Sequence, residues 1–366
     1  MLGNLGIDLG KGPPRMKDGL FGAIGAEGHE CVLWGSDPDT GLRAIVAVHS
    51  TVLGPSLGGT RFYPYETEEA ALVDALRLSR AMTLKAAVSG LDLGGGKAVI
   101  MGDPARNKSE GLLRAYGRLV DRLGGRYITA EDIGTTLEDM EIIYQETEWV
   151  SGLPLELGGS GDPSPATARG VLYALRAVSR HLWGTEELEG RRVVVQGVGK
   201  VGSALVEDLV EAGCEVLVGD MAEDAVARVV EAFGVQAVPA SEVLYTECDI
   251  LAPCAIGSVL NAGIIPRLRC RAVVGSANNQ LEAYQDAELL AERGILYAPD
   301  FIVNAGGLIN IFEEFRGYSA ERAARSVEAV YDTTLRVLSS AREWGVSAAA
   351  AALRLAEQRI AEARGD

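Results

Sequence analysis

Arg192 to Asp220 reads RVVVQGVGKVGSALVEDLVEAGCEVLVGD. The β-branched run Arg192 to Gln196 predicts a strand, and Gly197-Val198-Gly199-Lys200-Val201-Gly202 follows it at once. A helical run, Ala204 to Ala212, ends at Gly213, and a second strand, Cys214 to Val218, runs into Gly219 and Asp220. An isolated GxGxxG is weak evidence, but here it has a strand before it, a helix after it and an acid closing the next strand. That arrangement predicts a Rossmann unit. The glycines let backbone approach a pyrophosphate at a helix N-terminus, and Asp220 can accept hydrogen bonds from an adenosine ribose. A carboxylate there repels a 2'-phosphate, so NAD is expected rather than NADP. Further β-rich runs, DILAPCAIG, AVVGSANNQ and ILYAPDFIVNAGGLIN, continue a doubly wound sheet.

Upstream, the Gly, Ser and Pro cluster Gly158 to Gly170 marks a domain boundary. Two α/β domains are expected: residues 1–150 for substrate and catalysis, and 165–330 for NAD. Ala-rich helices over about 335–366 pack back onto the first domain, and the active site lies in the cleft. The length of 366 residues fits two domains. A net charge of -17 argues against affinity for nucleic acid or anionic membrane. No signal peptide and no membrane span is recognised, so a cytoplasmic location is expected. Five cysteines without a CxxC pair read as buried thiols. Three dispersed histidines, His29, His49 and His181, give no ligand spacing, and no metal is expected.

In the first domain the first 20 or so residues read as an arm of no assigned role. Cys31 to Trp34 and Arg43 to His49 predict neighbouring strands. In LGPSLGGTRFYPY, Gly54, Pro55, Gly58 and Gly59 predict an irregular loop with exposed amides able to hold a carboxylate. A helix from Thr67 to Arg80 leads to TLKAAVSGLDLGGGK, Thr83 to Lys97. Here Gly94 to Gly96 predict a sharp turn, with Lys97 delivered from the bend and Lys85 as a second ammonium. A lysine kept from water beside another cation shifts towards neutral pH and can act as a base. Glu131 and Asp132 follow a predicted strand, Arg126 to Ala130, at the strand end where α/β sites gather.

These stretches, in this order, resemble the leucine, phenylalanine, valine and glutamate dehydrogenase family, from about Ala44 to the C-terminus. The matching motifs include GLDLGGGKAVIMGDP, GRYITAEDIGTT, GDPSPATARGV, VQGVGKVG and GSANNQL. The resemblance implies that Lys85 binds the substrate carboxylate, Lys97 is the catalytic base and Asp132 handles protons at the substrate nitrogen. It places Thr167 and Asn278 at the nicotinamide or the substrate beside it. It lines the side-chain pocket with Leu57, Ala130, Leu308 and Ile311, all aliphatic. A branched aliphatic L-amino acid is then the expected substrate, in a homo-oligomer, dimer or octamer. A phenylalanine dehydrogenase, a weakly catalytic NAD-binding protein of the same fold and a hydroxy-acid dehydrogenase are the alternatives. The family commonly carries MTYKNAAAGL where this chain has MTLKAAVSGL, so Leu84 and Ala86 depart from it. Gly202 stands where leucine dehydrogenases typically have alanine, a change expected to leave cofactor binding intact.

Overall fold

The computed structural model describes residues 19–26, 28–255 and 257–365. The N-terminal arm expected from the sequence lies almost wholly outside them. The chain divides into two compact units, one of residues 19–162, Ile311–Ser319 and 356–365, the other of Pro163–Asn310 and Ala320–Leu355.

The first unit is built on a five-stranded mixed sheet. Its strands are β1 (Cys31–Asp37), β2 (Leu42–Ser50), β3 (Ser56–Tyr63), β4 (Gly94–Met101) and β5 (Tyr127–Glu131), in the order β1-β2-β4-β3-β5. The β1–β2 hairpin is antiparallel, while β3 runs parallel to both β4 and β5. Its helices are α1 (Gly19–Ala26), α2 (Glu68–Val88), α3 (Pro104–Asn107), α4 (Glu110–Asp121) and α5 (Leu137–Tyr144). Leu72, Ala75 and Leu76 of α2 pack on Ile45, Ala47 and Val99 of one sheet face. Tyr116, Leu119 and Met140 of α4 and α5 cover the other, against Val46, Phe62 and Ile100. Helices thus cover both faces of the central strands, and the edge strand β1 is left partly exposed.

Two expectations change here. The segment Ser56–Tyr63 is a strand rather than a loop, with Gly58 and Gly59 paired to Thr129 and Ala130 of β5. The glycine triplet likewise opens strand β4, and Lys97 sits in that strand. These glycines answer to close approach. A Cβ on Gly94 would fall 1.8 Å from the Ser50 carbonyl oxygen, on Gly95 2.1 Å from the Thr83 nitrogen, and on Gly96 2.5 Å from the Tyr127 ring. The helix α2 also runs further than expected, through Lys85 to Val88, because nothing between Arg80 and Ser89 breaks it. Thr67 caps its start by accepting the Ala70 N–H, and Glu68 and Glu69 oppose the dipole.

The second unit holds β6 (Arg192–Gln196), β7 (Glu215–Gly219), β8 (Gln236–Ala237), β9 (Ile250–Pro253), β10 (Ala272–Val273) and β11 (Leu296–Tyr297). They form an all-parallel sheet ordered β11-β10-β9-β6-β7-β8, the doubly wound order of dinucleotide-binding domains. Its helices include α6 (Ser164–Trp183), α7 (Lys200–Glu211), α8 (Glu223–Phe233), α9 (Asp286–Glu292), α10 (Asp300–Val303) and α12 (Ala320–Trp344). Gly170 of α6 lies where a Cβ would meet the Gly306 backbone at 3.2 Å, so α6 packs directly on α11 (Gly306–Phe312). The last helix, α13 (Ala348–Arg364), begins in this unit and finishes in the first. There Arg359 donates to the Leu91 carbonyl at 2.7 Å and pairs with Asp92 at 2.8 Å, fixing the loop that feeds β4.

Candidate active site

The site in the first unit is assembled by glycines. Because Gly95 has no side chain, the last turns of α2, which carry Lys85, lie against the strand that carries Lys97. Gly59 does the same for Asp132, whose Cβ would be 2.8 Å from a Cβ placed on Gly59. The Asp132 N–H donates to Thr135 Oγ1 at 2.9 Å, which holds the turn after β5.

Lys97 and Asp132 form a buried ion pair. The Lys97 side chain is 7% exposed and its Nζ lies 2.9 Å from Asp132 Oδ2. Burial pushes the Lys97 ammonium below the ordinary lysine range, with Arg61 adding to the fall and Asp132 opposing it. Burial acts on Asp132 in the opposite sense, but Lys97 and Arg61 together outweigh it and keep this carboxyl below its usual range. The pair therefore combines a lysine eased towards neutrality with a carboxylate that stays ionised.

Arg61, Asp74 and Tyr65 complete the cluster, and the sequence reading missed all three. Arg61 Nε donates to the same Asp132 Oδ2 at 3.0 Å, and Arg61 Nη1 donates to Asp74 Oδ2 at 2.8 Å. Tyr65 donates its hydroxyl to Asp74 Oδ2 at 2.6 Å, and Arg77 reaches Asp74 Oδ1 at 3.3 Å. A cation between Thr60 and Phe62 in an otherwise dry strand must have buried partners, and that was the available signal. Behind the site the Tyr127 hydroxyl donates to the Gly58 carbonyl at 2.6 Å. Leu57 and Ala130 are buried on β3 and β5, Ile311 is half-buried in the same unit, and Leu308 is buried in the other. Leu84 and Ala86 are buried as well.

In the second unit the fingerprint fits a dinucleotide. Gly197 takes φ +97°, and a Cβ there would meet the Ala255 nitrogen at 2.6 Å. A Cβ on Gly202 would lie 2.0 Å from the Gly197 carbonyl oxygen, so α7 packs directly on the loop. A Cβ on Gly199 would meet nothing within 4 Å, and Gly199 caps α7 without a side chain. Open space above uncapped helix amides suits a pyrophosphate. Val198 is buried, Val201 half-buried and Lys200 exposed at that helix start.

Asp220 closes β7 as expected, and its carboxylate also ties the loop down. Oδ2 accepts the Val198 N–H at 2.8 Å and Oδ1 accepts the Ala222 N–H at 2.9 Å. Each oxygen keeps a lone pair for a ribose hydroxyl. Asn278 is exposed, and its Oδ1 accepts from Asn304 Nδ2 at 2.9 Å, a second partner the sequence did not suggest. Thr167 donates its hydroxyl to the Pro163 carbonyl at 2.9 Å, where a Cβ on Gly307 would meet its Oγ1 at 2.6 Å.

A doubly wound sheet with this fingerprint, together with a buried lysine–aspartate pair in the other unit, defines a nicotinamide-dependent oxidoreductase. Residues 29–149 match the Glu/Leu/Phe/Val dehydrogenase dimerisation domain, and residues 158–222 and 218–366 match the Glutamate/Leucine/Phenylalanine/Valine dehydrogenase family. The chain belongs to this family of amino-acid dehydrogenases. It is 48% identical to leucine dehydrogenase of Geobacillus stearothermophilus over 341 residues, 93% of each chain. It is 51% identical to valine dehydrogenase of Streptomyces virginiae over 340 residues, 92% of this chain and 95% of that one. Among solved structures it resembles L-tryptophan dehydrogenase from Nostoc punctiforme, with a TM-score of 0.84 and 43% identity, covering 94% of this chain and 99% of that one. Among the described residues no helix is long and apolar enough to cross a membrane.

Proposed function

We propose that the protein catalyses the reversible, NAD-dependent oxidative deamination of branched-chain aliphatic L-amino acids to 2-oxo acids and ammonia. The observation that carries this reading is the buried Lys97–Asp132 pair at 2.9 Å. Identities of 48% and 51% to leucine and valine dehydrogenases support the substrate class. So does the aliphatic character of Leu57, Ala130, Leu308 and Ile311, none of which could pair a second carboxylate.

In this reading residues 1–150 supply the substrate groups and residues 165–330 the NAD site; of the C-terminal helices expected to return to the first domain, 335–355 group with the NAD unit and only the last turns, from 356, with the first. Lys85 anchors the substrate carboxylate. Gly58 and Gly59 serve by letting β4 and Asp132 come close. Gly197 to Gly202 cradle the pyrophosphate, Asp220 accepts from the ribose, and Thr167 and Asn278 border the nicotinamide. Bound NAD supplies the hydride acceptor. Lys97, once neutral, takes a proton from the water that attacks the substrate imine, and Asp132 stabilises the imine cation and moves protons to and from the departing nitrogen. A cytoplasmic homo-oligomer is part of the same proposal, consistent with five free thiols and with a matched domain described as a dimerisation domain.

The test is kcat/KM for leucine, valine, isoleucine, phenylalanine, tryptophan and glutamate at saturating NAD, followed by NADH absorbance. Aliphatic substrates lead if the pocket assignment is right, with overlap among them because each methylene is worth only about 1 to 3 kcal/mol. A lead by phenylalanine, tryptophan or glutamate overturns the assignment.

A further inference from the structure

Arg61 sits on β3 between the strand bearing Lys97 and the strand leading to Asp132. Its side chain is 6% exposed, and its two ends bond different carboxylates, Nε that of Asp132 and Nη1 that of Asp74. Lys97 and Arg61 both bond Oδ2 of Asp132, and among the described residues Oδ1 takes no partner. We propose that Arg61, itself held by Asp74, is the positioning residue that fixes Asp132 by one oxygen and so presents the other to the substrate amine. The proposal rests on the dehydrogenase reading above.

A guanidinium suits this role because its fork bonds in two directions at once, and because it keeps its charge when Lys97 gives up a proton. With Lys97 protonated the four groups Arg61, Asp74, Lys97 and Asp132 sum to zero. With Lys97 neutral they sum to a single negative charge, which attracts the imine cation while Asp132 still has a buried partner. Lys85 lies on α2 about three turns beyond Asp74, on nearly the same helix face, so one helix carries both the brace and the expected carboxylate anchor. The charged and titratable groups around Lys97 include Asp132 after β5, Arg61 on β3, and Asp74 and Lys85 on α2, with Tyr65 and Arg77 bound to Asp74. Arg61 depresses the Lys97 titration and Asp74 raises it.

The experiment is the pH dependence of leucine oxidation, with NADH binding measured by fluorescence as a control for folding and cofactor. The arm of kcat/KM that rises as Lys97 deprotonates should move to higher pH in Arg61→Met, by about 1 unit, with kcat down about tenfold or more. Arg61→Lys should bring the arm back towards its original position while kcat recovers only in part, since an ammonium cannot bridge both carboxylates. Asp74→Asn should move the arm the opposite way, by about half a unit. Opposite signs rule out mere support of the fold, and positioning of Asp132 is read from kcat: restored charge in Arg61→Lys returns the arm but not the full rate. If Arg61→Met does not fold, Asp74→Asn decides, and an arm that stays in place or rises there overturns the proposal. In folded variants, arms that stay put or move together overturn it too. A wild-type protein that oxidises no amino acid with NAD would instead overturn the functional reading on which this rests.

Discussion

Replacing Lys97 with methionine isolates its amine, because the aliphatic stem stays and only the amine is lost. Asp132 keeps Arg61 at 3.0 Å, so no buried carboxylate is left uncompensated. The variant forfeits one charge-assisted hydrogen bond, worth about 1.5 to 3 kcal/mol, and escapes the cost of burying an ammonium. These two effects oppose each other, and Tm should stay within about 5 °C of wild type. Catalysis has no such compensation. Loss of a general base removes about a hundredfold to ten-thousandfold in rate, equivalent to about 3 to 5 kcal/mol of barrier. The assay is steady-state leucine oxidation from pH 7 to 11, with NADH titration by fluorescence at each end. The expected result is a kcat at least about a hundredfold lower, a flattened pH profile and an unchanged NADH affinity. A folded Lys97→Met protein within about fivefold of wild-type kcat/KM would refute the assignment of Lys97 as the base.

Asp220→Ala should weaken NAD binding about tenfold to a hundredfold and narrow the preference over NADP, since it removes a ribose acceptor, the repelling charge and the bond to Val198 together; equal discrimination in isothermal titrations with both cofactors would contradict the fingerprint reading. Gly202→Ala should cost about 1 to 3 kcal/mol of stability in this chain while NADH still binds, because its Cβ would fall 2.0 Å from the Gly197 oxygen; a variant with unchanged Tm would show that the loop yields freely. His29 is held neutral by burial, which lowers its pKa to about 4, while its Nε2 lies 2.9 Å from the Leu76 carbonyl oxygen. Its folded pKa is below the unfolded one, so its contribution is complete above about pH 6.5 and disappears as pH falls towards 4, a loss of about 3 kcal/mol. Denaturant titrations at pH 7.5 and 4.5 should therefore show a smaller acid loss in His29→Gln than in wild type, and equal losses would rule this contribution out.

The fingerprint was legible because its local chemistry and its context agree: a strand ends at Gln196, glycines follow, a helix starts at Lys200, and an acid closes the next strand. The Lys97–Asp132 pair is different. The two lie far apart in sequence and meet through β3, so the glycine-flanked lysine and the acid at a strand end could each be singled out while periodicity gave no hint of their contact. Arg61 stayed hidden for a related reason. Glycines in Ser56–Tyr63 and Gly94–Met101 have the composition of turns, and reading them as turns removed the strand on which Arg61 sits. Glycine that frees a backbone angle and glycine that makes room for a neighbouring chain look alike in a sequence. Only tertiary packing distinguishes them, as the Gly95 approach to Thr83 shows.

That packing shapes how such an enzyme can change over generations. Gly94, Gly95, Gly96, Gly58 and Gly59 face backbone or ring atoms too near for any side chain, so nearly every substitution there harms folding before it can alter chemistry. Leu308 and Ile311 lie outside these strands and can vary in size without touching that mould, whereas Leu57 and Ala130 pair directly with Gly95 and Gly59 and share its constraint. Variation is thus channelled: a saturation library should show barren columns at the glycines beside more permissive ones at Leu308 and Ile311. A lineage can change side-chain size at such positions while the buried Lys97–Asp132 pair remains fixed.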